Sequence, residues 1–479
     1  MSKSRVLVSG AGVTGLATAM ALRAMPTPLG QLDLIDAAPP EEFGRHYLGL
    51  GTLLPVNMVA ALSEAGVPVP AAAVTEVSRI EVVRGDNGSL LGGTKVAAYG
   101  VDEVALHRGL CAALSNPSGA HATPQYLGLG TSVASVLDAA GRPVLPPPPP
   151  PASPVSTDAG AADDGGAAGD PPRASALPWP AQPVRVSFKG GRQAQDYDLI
   201  LAADGIPSRL RSMAFGLSPD DEVDARPSDF SFKFRGHGYW NTIVPRPPGV
   251  AADVAVEVLG LGARLRLIPL PGDNLFVAGT FNRKRPQPDR GSPTERAAAF
   301  VRAFADWDVP SVRAALDAVT AECNPDGRGL PVQIRFPGDL RLGTFVKPPV
   351  VLLGDAAHAS VPSLAMGMHQ SLRGVLTFVA SLRGALEHAD PSTPASEVMA
   401  AAAAAYDAGH RAASHEMQER MVKMALVTQR SAGFGFFKSK MHWHGLKRMA
   451  ATLSALNEGS TVPGQVQAEP AAPPGSTEQ

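Results

Sequence analysis

The sequence predicts an α/β fold: a parallel sheet with flanking helices, interleaved with a second, β-rich part and followed by C-terminal helices. Three observations predict it. The stretch "VLVSGAGVTGLATAMAL" sets Gly10, Gly12 and Gly15 in G-x-G-x-x-G spacing between an apolar strand and an alanine-rich helix. Two later apolar runs, "DLILAADG" and "VVLLGDAAH", each end in a short Gly/Asp turn. Between them, "FSFKFRG", "VAVEVLG", "ARLRLIPL" and "NLFVAGTFN" alternate or run apolar as strands do.

The elements follow in order. Val6–Ser9 reads as a strand, Thr14–Met25 as a helix and Leu32–Asp36 as a second strand. Val104–Leu114 reads as helix, and Asp198–Ala203 and Val350–Gly354 as strands. A helix runs from about Met366 to Leu386, and alanine-rich helix fills Ala395–Leu456. The β-rich stretch Ser228–Asn282 reads as a sheet, with Gly260–Gly262 as a hairpin turn. Residues 146–183, beginning "PPPPPP", and the tail 459–479 have almost nothing to bury and read as disordered. The strand-like flanks "TSVASVL" and "VRVSF" make the first of these an overgrown hairpin loop, which costs little to close. The expected division is 1–225 and 341–390 for the two parts of a nucleotide-binding domain, 226–340 for a β-rich substrate domain, and 391–458 for C-terminal helices.

Composition narrows the function. The 479 residues are 44% hydrophobic, enough for one large core or two joined ones. A formal net charge of −2 offers no basic field, so nucleic acid is not an expected partner. Two cysteines, Cys111 and Cys323, imply no disulfide framework. The first strand begins within a few residues of Met1, which leaves no room for a signal peptide, and no run of apolar residues suits a spanning helix. A cytoplasmic protein without an integral membrane segment, monomer or homodimer, is expected, with no metal site.

The physics of the glycine motif points to a dinucleotide. Gly10 permits the tight turn, Gly12 lets backbone approach a pyrophosphate, and Gly15 allows close packing of helix on strand. Val13 and Thr14 begin the helix, whose free N–H groups and positive dipole end face the phosphates. Asp36, at the end of "LDLID", is placed to accept from ribose hydroxyls. The motif alone does not separate NAD from FAD.

The glycine motif, "DLILAADGIPSRLR" and "VVLLGDAAHASVPSLAMGMHQSL", in that order, resemble the single-component FAD-dependent aromatic hydroxylases of the p-hydroxybenzoate and salicylate hydroxylase type. The resemblance runs from about Arg5 to His415 and implies a Rossmann-like FAD-binding domain interleaved with a β-sheet substrate domain. It implies that Asp355, after Gly354, receives a ribityl hydroxyl of FAD. It places Asp204, Gly205 and Arg211 near the pyrophosphate, and Pro362, Gly367 and Met368 at the flavin edge. An arginine or glutamine expected near the Val104 helix falls on Val101, Glu103 or Arg108 by alignment, with Arg108 preferred. His358 is expected to be structural.

The resemblance further implies a monooxygenase. NADPH or NADH docks transiently and reduces the flavin, which reacts with O2 to a C4a-hydroperoxide. One oxygen passes to a small aromatic or polyketide-like substrate. Arg235, His237, Tyr239 and Trp240 in "RGHGYW" are pocket candidates, with His237 or Tyr239 as general base, and His369 sits where it would touch flavin or substrate. The sequence departs from the family at Ala365, where a glycine is usual, at His369, where asparagine is usual, and at Arg373, where an acid is common. A flavin dehydrogenase of the same fold, or a flavin-binding protein without turnover, remains an alternative. The tryptophan-rich signature of a halogenase is not found.

Overall fold

The computed structural model describes residues 4–27, 29–40, 43, 50–115, 125–145, 178–215, 233–284, 291–323, 327–335 and 338–429. Most of the proline-rich stretch, Phe230 and Phe232 of "FSFKFRG", the helix expected beyond residue 429 and the 459–479 tail lie outside them.

In chain order the elements begin with β1 (Arg5–Ser9), α1 (Val13–Arg23), β2 (Gln31–Ile35), β3 (Gly51–Pro55), α2 (Val56–Glu64), β4 (Val74–Arg84), β5 (Leu90–Asp102), α3 (Glu103–Ser115) and β6 (Gln125–Gly128). There follow β7 (Ser132–Leu137), β8 (Val184–Lys189), β9 (Gln195–Tyr197), β10 (Leu199–Ala202), α4 (Arg209–Phe215), β11 (Lys233–Phe234), β12 (His237–Pro245), β13 (Val254–Leu259), β14 (Ala263–Leu270) and β15 (Asn274–Asn282). The chain continues through α5 (Pro293–Phe304), α6 (Pro310–Glu322), β16 (Gln333–Arg335), β17 (Gly338–Asp339), β18 (Val346–Lys347), β19 (Val350–Leu352), α7 (Asp355–His358), α8 (Gly367–Glu387) and α9 (Ala395–Thr428).

One sheet has the order β18-β19-β10-β1-β2-β6 and is parallel except for β18. Its central strands are continuous apolar runs because helices cover both faces. Helix α1 is buried along nearly its whole length, which explains its small, alanine-rich sequence. The expected strands and the helix after the glycines therefore stand where the sequence put them. β7 and β8 pair as a hairpin flanking the proline-rich stretch, with β9 as third strand.

The second sheet is larger than the sequence suggested, with the order β16-β12-β15-β14-β13-β4-β5-β3. Residues 51–102, expected with the nucleotide-binding part, supply three of its strands. β4 pairs in parallel with β13, and β5 pairs with β4 and β3. The reason is visible in "VTEVSRIEVVRG", whose Glu and Arg residues mask a strand with exposed positions. One face of this sheet carries α5 and α6, packed through Trp240, Phe300 and Phe304. The other face bears Tyr239, Ile243, Ile268, Phe276 and Ala278 and looks toward the 361–366 loop.

Among the described residues no helix is long and apolar enough to cross a membrane. α9 packs along α8 and closes the parallel sheet: Tyr406 Oη donates to the Leu352 carbonyl (3.0 Å), and Asp407 accepts from the Phe345 N–H (2.7 Å).

Candidate functional site

The motif loops meet at one edge. β2, β1, β10 and β19 are neighbouring parallel strands, and Asp36, the glycine loop, Asp204 and Gly354–Asp355 follow their carboxyl ends. Ligands of open α/β sheets bind at that edge, where the strand order diverges on either side of the first strand.

The three glycines serve different contacts. Gly10 has φ +100°, and a Cβ there would stand 2.3 Å from the Ala203 carbonyl oxygen. A Cβ on Gly15 would stand 1.7 Å from the Gly10 oxygen. Gly12 meets nothing within 4 Å, so its missing side chain opens onto free space. Gly12 caps α1 and makes no side-chain cap bond, which leaves the first-turn N–H groups directed at that space. Gly367, first residue of α8, also meets nothing within 4 Å, and α8 likewise has no side-chain cap. Open ground at both glycines, beside two uncapped helix starts, fits a nucleotide with its pyrophosphate at α1 and its ring edge at α8.

Asp36 braces the loop. Its carboxylate accepts from the Ala11 N–H (2.7 Å) and the Ala38 N–H (2.8 Å). The residue of α3 that reaches this loop is His107, whose Nε2–H donates to the Ala11 carbonyl at 2.9 Å. α3 turns Glu103, Leu106, His107, Leu110 and Leu114 inward, and the helical period leaves Arg108, the expected cofactor contact, exposed and away from the glycine loop's hydrogen bonds. Burial lowers the His107 pKa, while the Ala11 contact and Asp36 oppose the shift. Cys111, one turn on, has its thiol pushed up to about 11 by burial and by Asp36.

Arg211 turns inward, whereas Asp204 and Gly205 are half-buried. Gly205 has φ +75°. Asp204 accepts from Ser208 Oγ (2.5 Å) and the Leu210 N–H (3.3 Å), so it organises the start of α4, and burial raises its pKa. Arg211 is fully buried and donates to the carbonyls of Ala356 (3.1 Å), Ile206 and Gly205. Both were expected to touch a cofactor. Arg211, on α4, ties the Asp-Gly turn to α7, while Asp204, half-buried ahead of α4, holds the start of that helix.

Gly354 takes φ +59°, which turns β19 into α7 and sets Asp355, half-buried, in the first turn. A Cβ on Gly354 would lie 2.9 Å from Thr14 Oγ1 and 3.2 Å from Ser371 Oγ, so α1, α7 and α8 converge there. Val13 is buried beneath, and Met368 packs against the same core. His358 faces α9, with Nε2 3.1 Å from His410 Nε2, and burial lowers its pKa to about 4.

The 362–366 loop lies across the second sheet. Ala365, where the family has glycine, holds φ +54°, and its carbonyl accepts from Thr52 Oγ1 at 2.9 Å. Pro362 and Ser363 turn their carbonyls to Arg264 and Arg266. A narrow cavity of about 50 Å³ separates loop from sheet, lined by Leu53, Ile80, Ala255, Leu364, Ala365 and Met417 among others.

His237 and Tyr239 lie on the sheet face turned to this loop. His237 is 7% exposed, and its Nδ1 has no partner among the described residues. Burial, with Arg264 nearby, lowers its pKa to about 4, so the ring is neutral at pH 7. Two other candidates are corrected. Trp240 alternates to the opposite face and packs against Phe281 with its ring tilted by 50° (centroids 4.4 Å apart), and Arg235 pairs with Asp339 (2.8 Å). His369 lies inside α8 rather than in a loop and is 1% exposed. Neither of its nitrogens has a partner among the described residues, and it is absent from the cavity wall, as are His237 and Tyr239.

Sequence reading missed Glu257, Arg264, Arg266 and His107. The first three alternate with apolar residues that pack under α5 and α6, so they read as a solvated face; in the fold that face is covered.

The fold is α/β, with a parallel sheet that carries the glycine edge and a second, larger sheet. No protein-family model matches the chain. It is 29% identical over 236 residues to salicylate hydroxylase of Pseudomonas putida, covering 44% of this chain and 49% of that protein. It is 28% identical over 193 residues to 2-heptyl-3-hydroxy-4(1H)-quinolone synthase of Pseudomonas aeruginosa, covering 39% and 44%. Each match thus spans less than half of the relative. Klebsiella pneumoniae HpxO complexed with FAD and uric acid shares the fold at TM-score 0.66 and 17% identity, over 95% of this chain and 97% of that one. The chain thus shares its fold with HpxO, and over less than half of its length its sequence is similar to proteins named as hydroxylases.

Proposed function

We propose that this chain binds FAD at the glycine edge and is a monooxygenase acting on a small aromatic or polyketide-like substrate, with NADPH or NADH as transient reductant. The observation that carries the reading is the convergence of the motif loops on one sheet edge, with open space at Gly12 and Gly367. Bound FAD would accept a hydride and then activate O2, of which one atom goes to the substrate and the other leaves as water.

The chain's own residues supply position. Gly12 and the first turn of α1 hold the pyrophosphate, Asp36 the ribose and Asp355 the ribityl chain. The Ala365–Gly367 backbone and the start of α8 face the ring edge. The substrate lies between the 362–366 loop and the sheet, where the wall is mostly apolar and carries Glu257 and Arg266 as its charged members.

The test is reconstitution with FAD, followed by NADH and NADPH oxidation and oxygen uptake across a panel of phenols and hydroxylated polyketide-like aromatics. Oxidation and oxygen uptake stimulated by one class, with an oxygenated product, support the reading. Substrate oxidised by a dye without oxygen uptake replaces it with the dehydrogenase. Bound FAD inert to every reductant replaces it with a binding protein.

A further inference from the structure

A buried ion triad binds the second sheet to the late loop. Glu257 on β13 stands directly opposite Arg266 on β14, and Arg264 lies two residues along, on the same face. Glu257 and Arg264 are each 5% exposed. The Glu257 carboxylate takes Arg264 Nε on one oxygen and Arg266 Nε on the other, the latter at 2.6 Å. Both arginines then reach across to the loop: Arg264 Nη2 donates to the Ser363 carbonyl, and Arg266 donates to Ser363 at 3.0 Å and to Pro362 at 3.4 Å.

The same loop is held from two other sides. Ser363 Oγ donates to the Met421 carbonyl of α9 (2.5 Å), and Thr52 Oγ1 of β3 donates to the Ala365 carbonyl. In a trans peptide the N–H points opposite to its C=O. Fixing the Ser363 and Ala365 carbonyls toward the sheet therefore turns the Leu364 and Met366 N–H groups away from it. Ala365 is held at φ +54° within this grip, a conformation an alanine does not keep unaided. One carboxylate between two guanidiniums leaves a net positive charge indoors, a costly arrangement where stability alone needs only apolar packing.

We propose that Glu257, Arg264 and Arg266 are positioning residues that set the 362–367 backbone for the cofactor's ring edge. The inference rests on the proposed FAD site for its consequence, and on the hydrogen bonds above for its mechanism. Glu257 orients both forks, the forks hold the loop carbonyls, and the loop presents its amides.

The test compares wild type with Glu257→Gln and Arg266→Lys, which keeps the charge but loses the fork. Amide hydrogen exchange of the apoprotein is expected to quicken at least tenfold over 361–370 and to stay unchanged over 5–23. With FAD added, both variants should bind at least tenfold more weakly, and the visible circular dichroism of the bound flavin should change. If Glu257→Gln does not fold, the less buried Arg266→Lys carries the measurement alone. Unchanged exchange over 361–370 in a folded variant overturns the clamp and leaves FAD binding standing. A wild type that binds no FAD removes the proposed function, and the exchange result still decides the clamp.

Discussion

Thr14 and Gly354 touch across the sheet edge: a Cβ on Gly354 would stand 2.9 Å from Thr14 Oγ1. The first motif and the last, remote in sequence, thus share one wall. Gly354 is needed twice over, for its positive φ and for the room that Thr14 occupies.

Gly12 separates ligand from fold. Its φ is −68° and its Cβ direction is open, so Gly12→Ala should leave thermal stability within about 2 °C of wild type, the scale of a few tenths of a kcal/mol. FAD binding, followed by flavin fluorescence, should weaken at least tenfold. Gly15→Val is the contrast: its side chain would strike the Gly10 carbonyl, and soluble folded protein should be lost.

Ala365→Gly should stabilise the chain. A left-handed alanine costs about 1–2 kcal/mol, and the greater chain entropy of glycine returns about 0.5–1. A net gain of about 0.5–1 kcal/mol in urea unfolding is expected, against a loss for Ala365→Val. A loss for both would mean that the loop does not hold φ +54°.

Arg211 offers a third test. It is fully buried among the carbonyls of Gly205, Ile206 and Ala356. Arg211→Met strands these acceptors and should cost about 2–4 kcal/mol in urea unfolding. A cost under about 0.5 kcal/mol would show that the clamp on α7 is dispensable.

Acid should destabilise the protein through its buried histidines. His237, His358 and His369 each protonate near 4 in the folded state, chiefly because burial disfavours the charged ring, against about 6.5 unfolded. Above about pH 6.5 neither state carries the proton. Between about 6.5 and 4 the unfolded chain binds it and the folded chain does not, so stability falls by about 1.4 kcal/mol per pH unit for each histidine. In His369→Gln the fall between pH 6 and 5 should be shallower by about that amount. Equal slopes in variant and wild type would place His369 in water.

The parts legible in the sequence were those whose pattern reports a local constraint. Val6–Val8 and Val350–Leu352 are covered on both faces, so they are uniformly apolar. Gly10, Gly205 and Gly354 mark turns of positive φ. β4 was illegible because charged and polar residues fill its exposed positions, β5 because its glycines and alanines break the apolar alternation, and the pairing of β4 with a strand distant in the chain leaves no local trace. Arg108 was preferred over its neighbours by alignment to a motif, whereas helical phase selects His107. Trp240 looked like pocket because "RGHGYW" is rich in functional groups; strand alternation divides that stretch between two faces.

Spectroscopy of the chain reconstituted with FAD tests the central claim most directly. The account predicts one flavin per chain, with absorbance bands shifted from those of free FAD and retained through gel filtration, and loss of that flavin in Gly12→Ala. A folded wild type that emerges colourless, with free FAD eluting separately at micromolar concentrations, would contradict it.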